Sequence, residues 1–201
     1  MRAQESRISV SLGDDLGRYP DEVWELELNH LDMFVEEVID ELNTVIWAEE
    51  RDVPLHSTVS ARTGVHNWGA SGSFSEVIMQ VTTGTAGGIG ATAIAAAIKV
   101  VFEKLKSRAE QRVWQIRSLE EAEQLARSGL HRHYQVAVEK LTLVQSAIDA
   151  ESHRYDLEFA HEDGRKFGAV VGALETTPSC LRLWADGPIT RPAPEPPASG
   201  S

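Results

Sequence analysis

The hydrophobic pattern changes period several times along the chain, and each change marks an expected element. Ile8, Val10 and Leu12 alternate with Ser9 and Ser11, the period of two of a half-buried strand, until Gly13-Asp14-Asp15 breaks it. After Pro20 the apolar positions Leu28, Leu31, Val35, Val38, Leu42 and Val45 recur every three or four residues. That spacing predicts an amphipathic helix ending near Trp47 to Arg51, with Glu36, Glu37, Asp40 and Glu41 on its outer face. Val23, Trp24, Leu26 and Leu28 also partly fit a strand at its beginning.

Pro54 and the run from Thr63 to Ser73 mark loops, with a short strand over Ser57 to Arg62 between them. From Val77 to Ile98 there are 22 residues without a formal charge, VIMQVTTGTAGGIGATAIAAAI. The helical pattern continues through Val101, Phe102 and Leu105, so 77–106 reads as a glycine-rich helical segment. Ser118 and Glu121 have capping-box spacing and predict a helix from Leu119 to near Gly129. Val138, Leu141, Val144 and Ile148 predict more helix across residues 130–150. The period then returns to two: Tyr155, Leu157 and Phe159, a turn at Asp163-Gly164, then Phe167, Ala169 and Val171 form a β-hairpin. Leu181 and Leu183, beside Cys180 and Trp184, add one strand. The expected fold class is α+β: an N-terminal strand and acidic amphipathic helix, a helical Gly/Ala-rich middle, and a C-terminal β-hairpin plus strand. Residues 1–187 form a single domain, and the Pro-rich end at 188–201 is a disordered tail.

Composition narrows the class. A chain of 201 residues with 42% hydrophobic and 25% charged residues is ordinary globular material, which argues against wholesale disorder and a polytopic membrane protein. One cysteine closes no intrachain disulfide, and the start MRAQESRISVSLGDD lacks the apolar core of a secretory signal, so the cytoplasm is the expected location. The net charge is −12, and residues 1–50 supply most of it, with three Arg against fourteen Asp and Glu. Such a flank repels phosphate backbones, so nucleic acid is not an expected partner. Between Lys99 and Lys140 nine basic residues meet six acidic ones, the balance of a solvated helix face.

The glycine-rich stretch admits three readings. Thr83 to Gly90 resembles the TGxxxGxG fingerprint of short-chain dehydrogenases, and that resemblance implies a dinucleotide pyrophosphate held at a strand-to-helix turn. The surroundings depart from the family, since Tyr134, Tyr19 and Tyr155 have no lysine four residues on. Second, Gly84, Gly88, Thr92 and Ala96 are spaced by four, as are Gly87, Ala91, Ala95 and Lys99, the small-residue stripes of associating membrane helices. A membrane-associating or pore-forming effector using residues 77–105 follows from that, although Gly, Ala and Thr make the span marginally apolar. Third, the small residues let a buried helix pack closely, with Ile89, Ile94, Ile98, Val101 and Leu105 as its core side. The third is favoured, with Gly84, Gly88, Ala91 and Ala95 as the surface for helix packing or self-association.

Other chemistry is sparse. His131 and His133 lie two apart, where helical positions diverge, and no HExxH or Cys/His zinc pattern is present, so no metal is expected. Cys180 sits in an apolar setting typical of a small buried hydrophobe. No GxSxG elbow or Walker loop accompanies it, and neither a catalytic residue nor a cofactor is assigned. Trp68, flanked by Gly64, Gly69 and Gly72, is a candidate contact for a partner protein.

The RISVSL strand, the small-residue helix after a glycine-containing loop (residues 64–106) and the strand pair turning at EDGR (residues 153–174) resemble the small effector-associated accessory components of bacterial conflict systems. The helical insertion from Arg108 to Ala150 departs from that compact layout. The resemblance implies an adaptor working beside an effector through interaction surfaces. The expectation is therefore a non-enzymatic accessory or interaction protein, with another protein, itself or a membrane surface as partner.

Overall fold

Polar and apolar residues alternate at the start of the chain, and the first two such segments pair as antiparallel strands, β1 (Glu5–Gly13) and β2 (Glu22–Asn29). The computed structural model describes residues 3–16, 19–47, 53–66, 72–83, 89–110 and 117–186. It continues with α1 (Val35–Asn43) and a 3-10 turn (Thr44–Trp47), then β3 (Ser57–His66), β4 (Gly72–Thr82) and α2 (Ile89–Ser107). After α3 (Leu119–Tyr134) and a second 3-10 turn (Val138–Lys140) come β5 (Leu141–Asp149), β6 (Arg154–His161), β7 (Lys166–Val171) and β8 (Cys180–Asp186). The eight strands form one sheet in the order β3-β4-β1-β2-β8-β7-β6-β5. Only the β1/β4 pair in that order is parallel.

The chain is thus a mixed helix-and-strand protein, as expected, with more strand than the sequence pattern gives. The helix expected after Pro20 is corrected over residues 22–29. Trp24, Leu26 and Leu28 face one core and Val23 the other, so the period of two prevails, and β2 pairs with β1 and β8 on its two sides. The helical spacing is real only from Val35, where Val38 and Leu42 are buried.

The helix expected at 77–106 is also corrected at its start. Val77, Met79 and Val81 are buried and alternate with Ile78 and Gln80 along β4, so the uncharged run is a central strand followed, after residues outside the description, by α2.

The third correction is at 130–150. Gln135 takes the left-handed conformation (φ 54°), donates its N–H to the His131 carbonyl and ends α3, and residues 141–149 become a strand. A bulge between Leu143 and Gln145 inserts an extra residue, which is why Leu141, Val144 and Ile148 fall at helix-like spacing in an extended segment.

Two cores share the sheet. On one face α1 and α2 cover β1, β2 and β4, burying Ile8, Val10, Trp24, Met79, Ile98 and Phe102. On the opposite face α3 covers β6, β7 and β8, burying Ala126, Leu130, Tyr134, Phe159, Phe167 and Leu183. The expected capping box starts α3: Glu121 N–H donates to Ser118 Oγ (3.2 Å), and Ser118 N–H donates to Glu121 Oε2 (2.8 Å). Because the helices lie on opposite faces at opposite halves, each face of the sheet keeps one half that no helix covers among the described residues.

Candidate functional site

The uncovered half beside α3 is polar for a reason visible in β1. Its inward residues Ile8, Val10 and Leu12 fill the first core, so Arg7, Ser9 and Ser11 point to the other face. The cross-strand register adds Glu25 and Glu27 from β2, Glu76, Ile78 and Gln80 from β4, and Ser60 and Arg62 from β3. The C-terminal end of α3 closes one side with Arg132 and His133. The cleft between them has a volume of about 640 Å³.

Glu25 anchors it. The residue is 1% exposed, accepts from Arg132 Nη1 at 2.5 and 2.6 Å, and lies 2.9 Å from His133 Nε2. Burial pushes its carboxyl pKa up, but the hydrogen bonds and charges of His133 and Arg132 outweigh that and bring it down to about 2. Arg7 extends the network, donating to Glu27 (2.9 and 2.7 Å) and lying 4.0 Å from Glu25 and 3.8 Å from Glu76. Arg62 Nε meets Glu76 Oε2 at 2.5 Å. The result is a chain of alternating charges running across four strands to α3.

The other uncovered half is built differently. Arg182 lies 5.5 Å from the Trp24 ring and 5.4 Å from the Trp184 ring, and its guanidinium donates to both carboxylate oxygens of Glu22 (2.8 and 3.0 Å). Gly168 permits this stack, since a Cβ there would come within 2.0 Å of the Trp184 ring.

The two sheet edges are β3 and β5. The β5 sequence LTLVQSAID has no charge before Asp149 and no proline, and its Val144 and Ile148 are 56% and 52% exposed. That departs from the usual edge, which is blunted by Lys or Pro; the bulge alone interrupts it.

The residues singled out from the sequence scatter. Gly84, Gly88 and Trp68 lie outside the described residues, as does the side chain of Ala91. Ala95 is partly buried against the first core of its own chain. His133 binds Glu25, while His131 Nδ1 is 2.8 Å from the Val136 carbonyl, so the two histidines face different partners. Among the described residues no group of three or more His, Cys, Asp or Glu is arranged to hold a metal. Cys180 is fully buried, and burial pushes its thiol pKa strongly up. Among them, too, no helix is long and apolar enough to cross a membrane. After α2 the chain passes through α3 to β5 at the far edge of the sheet, so no parallel strand returns beside β4 to complete a dinucleotide crevice.

The sequence reading missed Glu25, Glu76, Arg7, Arg62 and Arg132. The available signal was the polar alternate positions of β1 and β2, but their partners come from β3, β4 and α3, which only the register brings alongside. No family model matches the chain, and no curated protein and no solved structure does either.

Proposed function

We propose that this chain is a non-enzymatic accessory protein that works through protein contacts and pairs with a second copy of itself along β5. The observation that carries the reading is the edge strand β5, which has no charge before Asp149 and no strand on its outer side among the described residues, with Val144 and Ile148 turned to solvent. Unpaired N–H and C=O groups on such an edge are a template for strand addition. Charge selects the copy's orientation. The acidic N-terminal segment forms β1, β2 and α1, and β8, β7 and β6 lie between these strands and the edge strand β5. Two-fold pairing of β5 with β5 keeps the acidic strands of the two copies apart, with β8, β7, β6 and β5 of each copy between them, where their repulsion is screened. The adaptor role implied by the resemblance to effector-associated components fits a protein of this kind.

The small-residue stripe is the weaker assembly surface, because Ala95 already leans on its own core. Light scattering on the purified chain, beside Val144→Lys, tests the proposal. The wild type is expected to form a concentration-dependent dimer, and the variant to stay monomeric with an unchanged circular dichroism spectrum, since an edge lysine opposes strand addition. A wild type that is monomeric at all concentrations, or a variant that dimerises equally, contradicts it.

A further inference from the structure

The cleft beside α3 brings three guanidinium groups together, each set against a carboxylate: Arg62 against Glu76, Arg7 against Glu27 and Arg132 against Glu25. Arg7, Arg62, Arg132, His133 and Glu76 line it, with Glu25 and Glu27 behind their partners. Glu25 lies beneath α3's cations and binds Arg132 through Nη1 alone, with no further hydrogen bond to that guanidinium among the described residues. Its floor is hydroxylated. Ser9 is 2% and Ser11 9% exposed, both line the cleft, and neither side chain makes a hydrogen bond among the described residues. Both hydroxyls therefore open onto the cleft and are available to a polar occupant. The size, about 640 Å³, is that of a small-molecule site.

We propose that this cleft binds a small, hydroxyl-bearing organic anion, with its phosphate or carboxylate held by the guanidinium groups of Arg62 and Arg132 and its hydroxyls meeting Ser9 and Ser11. Guanidinium forks favour bidentate oxyanion contacts, and the buried carboxylates Glu25 and Glu76 hold the forks in place before the ligand arrives. A neutral sugar lacks the charge that would recognise these forks. The site is separate from the β5 edge, so it stands or falls independently of dimer formation.

An amide chemical-shift titration of the full chain with glucose 6-phosphate, gluconate and glucose tests the proposal and separates the two anion types. Saturable shifts centred on Ser9, Ser11, Arg132 and His133 are expected with at least one anion and not with glucose. Arg62→Ala, whose wild-type side chain is 71% exposed, is expected to fold normally and to weaken binding about tenfold. Ser11→Val is expected to weaken it as well, with its fold checked by circular dichroism. No saturable shift with either anion, equal shifts with glucose, or affinity unchanged in Arg62→Ala overturns the proposal.

Discussion

Removing Glu25 from water is unfavourable by itself, and its carboxyl stays ionised because Arg132 and His133 engage its oxygens. Its folded pKa of about 2 lies below the ordinary 4.5, so the unfolded chain takes up a proton first as the pH falls. The stabilisation is therefore complete above about 4.5 and is lost as the pH drops from there toward 2. Glu25→Gln is expected to cost about 2–3 kcal/mol at neutral pH, the worth of hydrogen bonds to a charged group. Urea denaturation of both proteins at a series of pH values checks this, and the gap should narrow below pH 4.5. A gap that stays constant to low pH would mean that the carboxylate's charge contributes nothing. The importance of Glu25 was not legible in the sequence, where it is one of many acids in the first 50 residues; burial and two cations from a helix distant in sequence set it apart.

Strands and helices were legible where one period dominated. The hairpin β6–β7 turns at Asp163-Gly164 as its alternation requires, and Ser118 and Glu121 cap α3. The pattern misled where two periods overlapped. In β2, apolar residues face both cores, and in β5 a bulge shifts the alternation; neither pairing partner can be read from a local window. Turns carry a prediction at this scale. Gly172 follows β7 with φ 82°, and a Cβ there would lie 2.4 Å from the His153 carbonyl oxygen. Gly164, in the β6–β7 turn, has φ 89° but open space around it. Gly164→Ala is expected to cost about 1 kcal/mol, the strain of a positive φ, while Gly172→Ala adds a backbone clash and costs about 2 kcal/mol or more. Thermal denaturation of the two variants ranks them, and equal losses would show that the His153 carbonyl moves aside freely.

At the scale of the molecule, one sheet carries two cores on opposite faces, and this offset leaves a charged cleft and an Arg–Trp stack, while β3 and β5 are the sheet's edges among the described residues. Mixed α and β content and the charge asymmetry were visible in the sequence. The sheet order was not, because it joins β2 to β8 across most of the chain and leaves β5 at the edge, three strands removed from β2. The central claim is that this free edge pairs with a copy of itself, and hydrogen exchange of the β5 amides as a function of protein concentration tests it most directly. Amides of β5 not bonded to β6 are expected to exchange rapidly in dilute solution and to become protected as concentration rises, with no such gain in Val144→Lys. Exchange in β5 that is independent of concentration, in a sample concentrated enough for any stable dimer to form, would contradict the account.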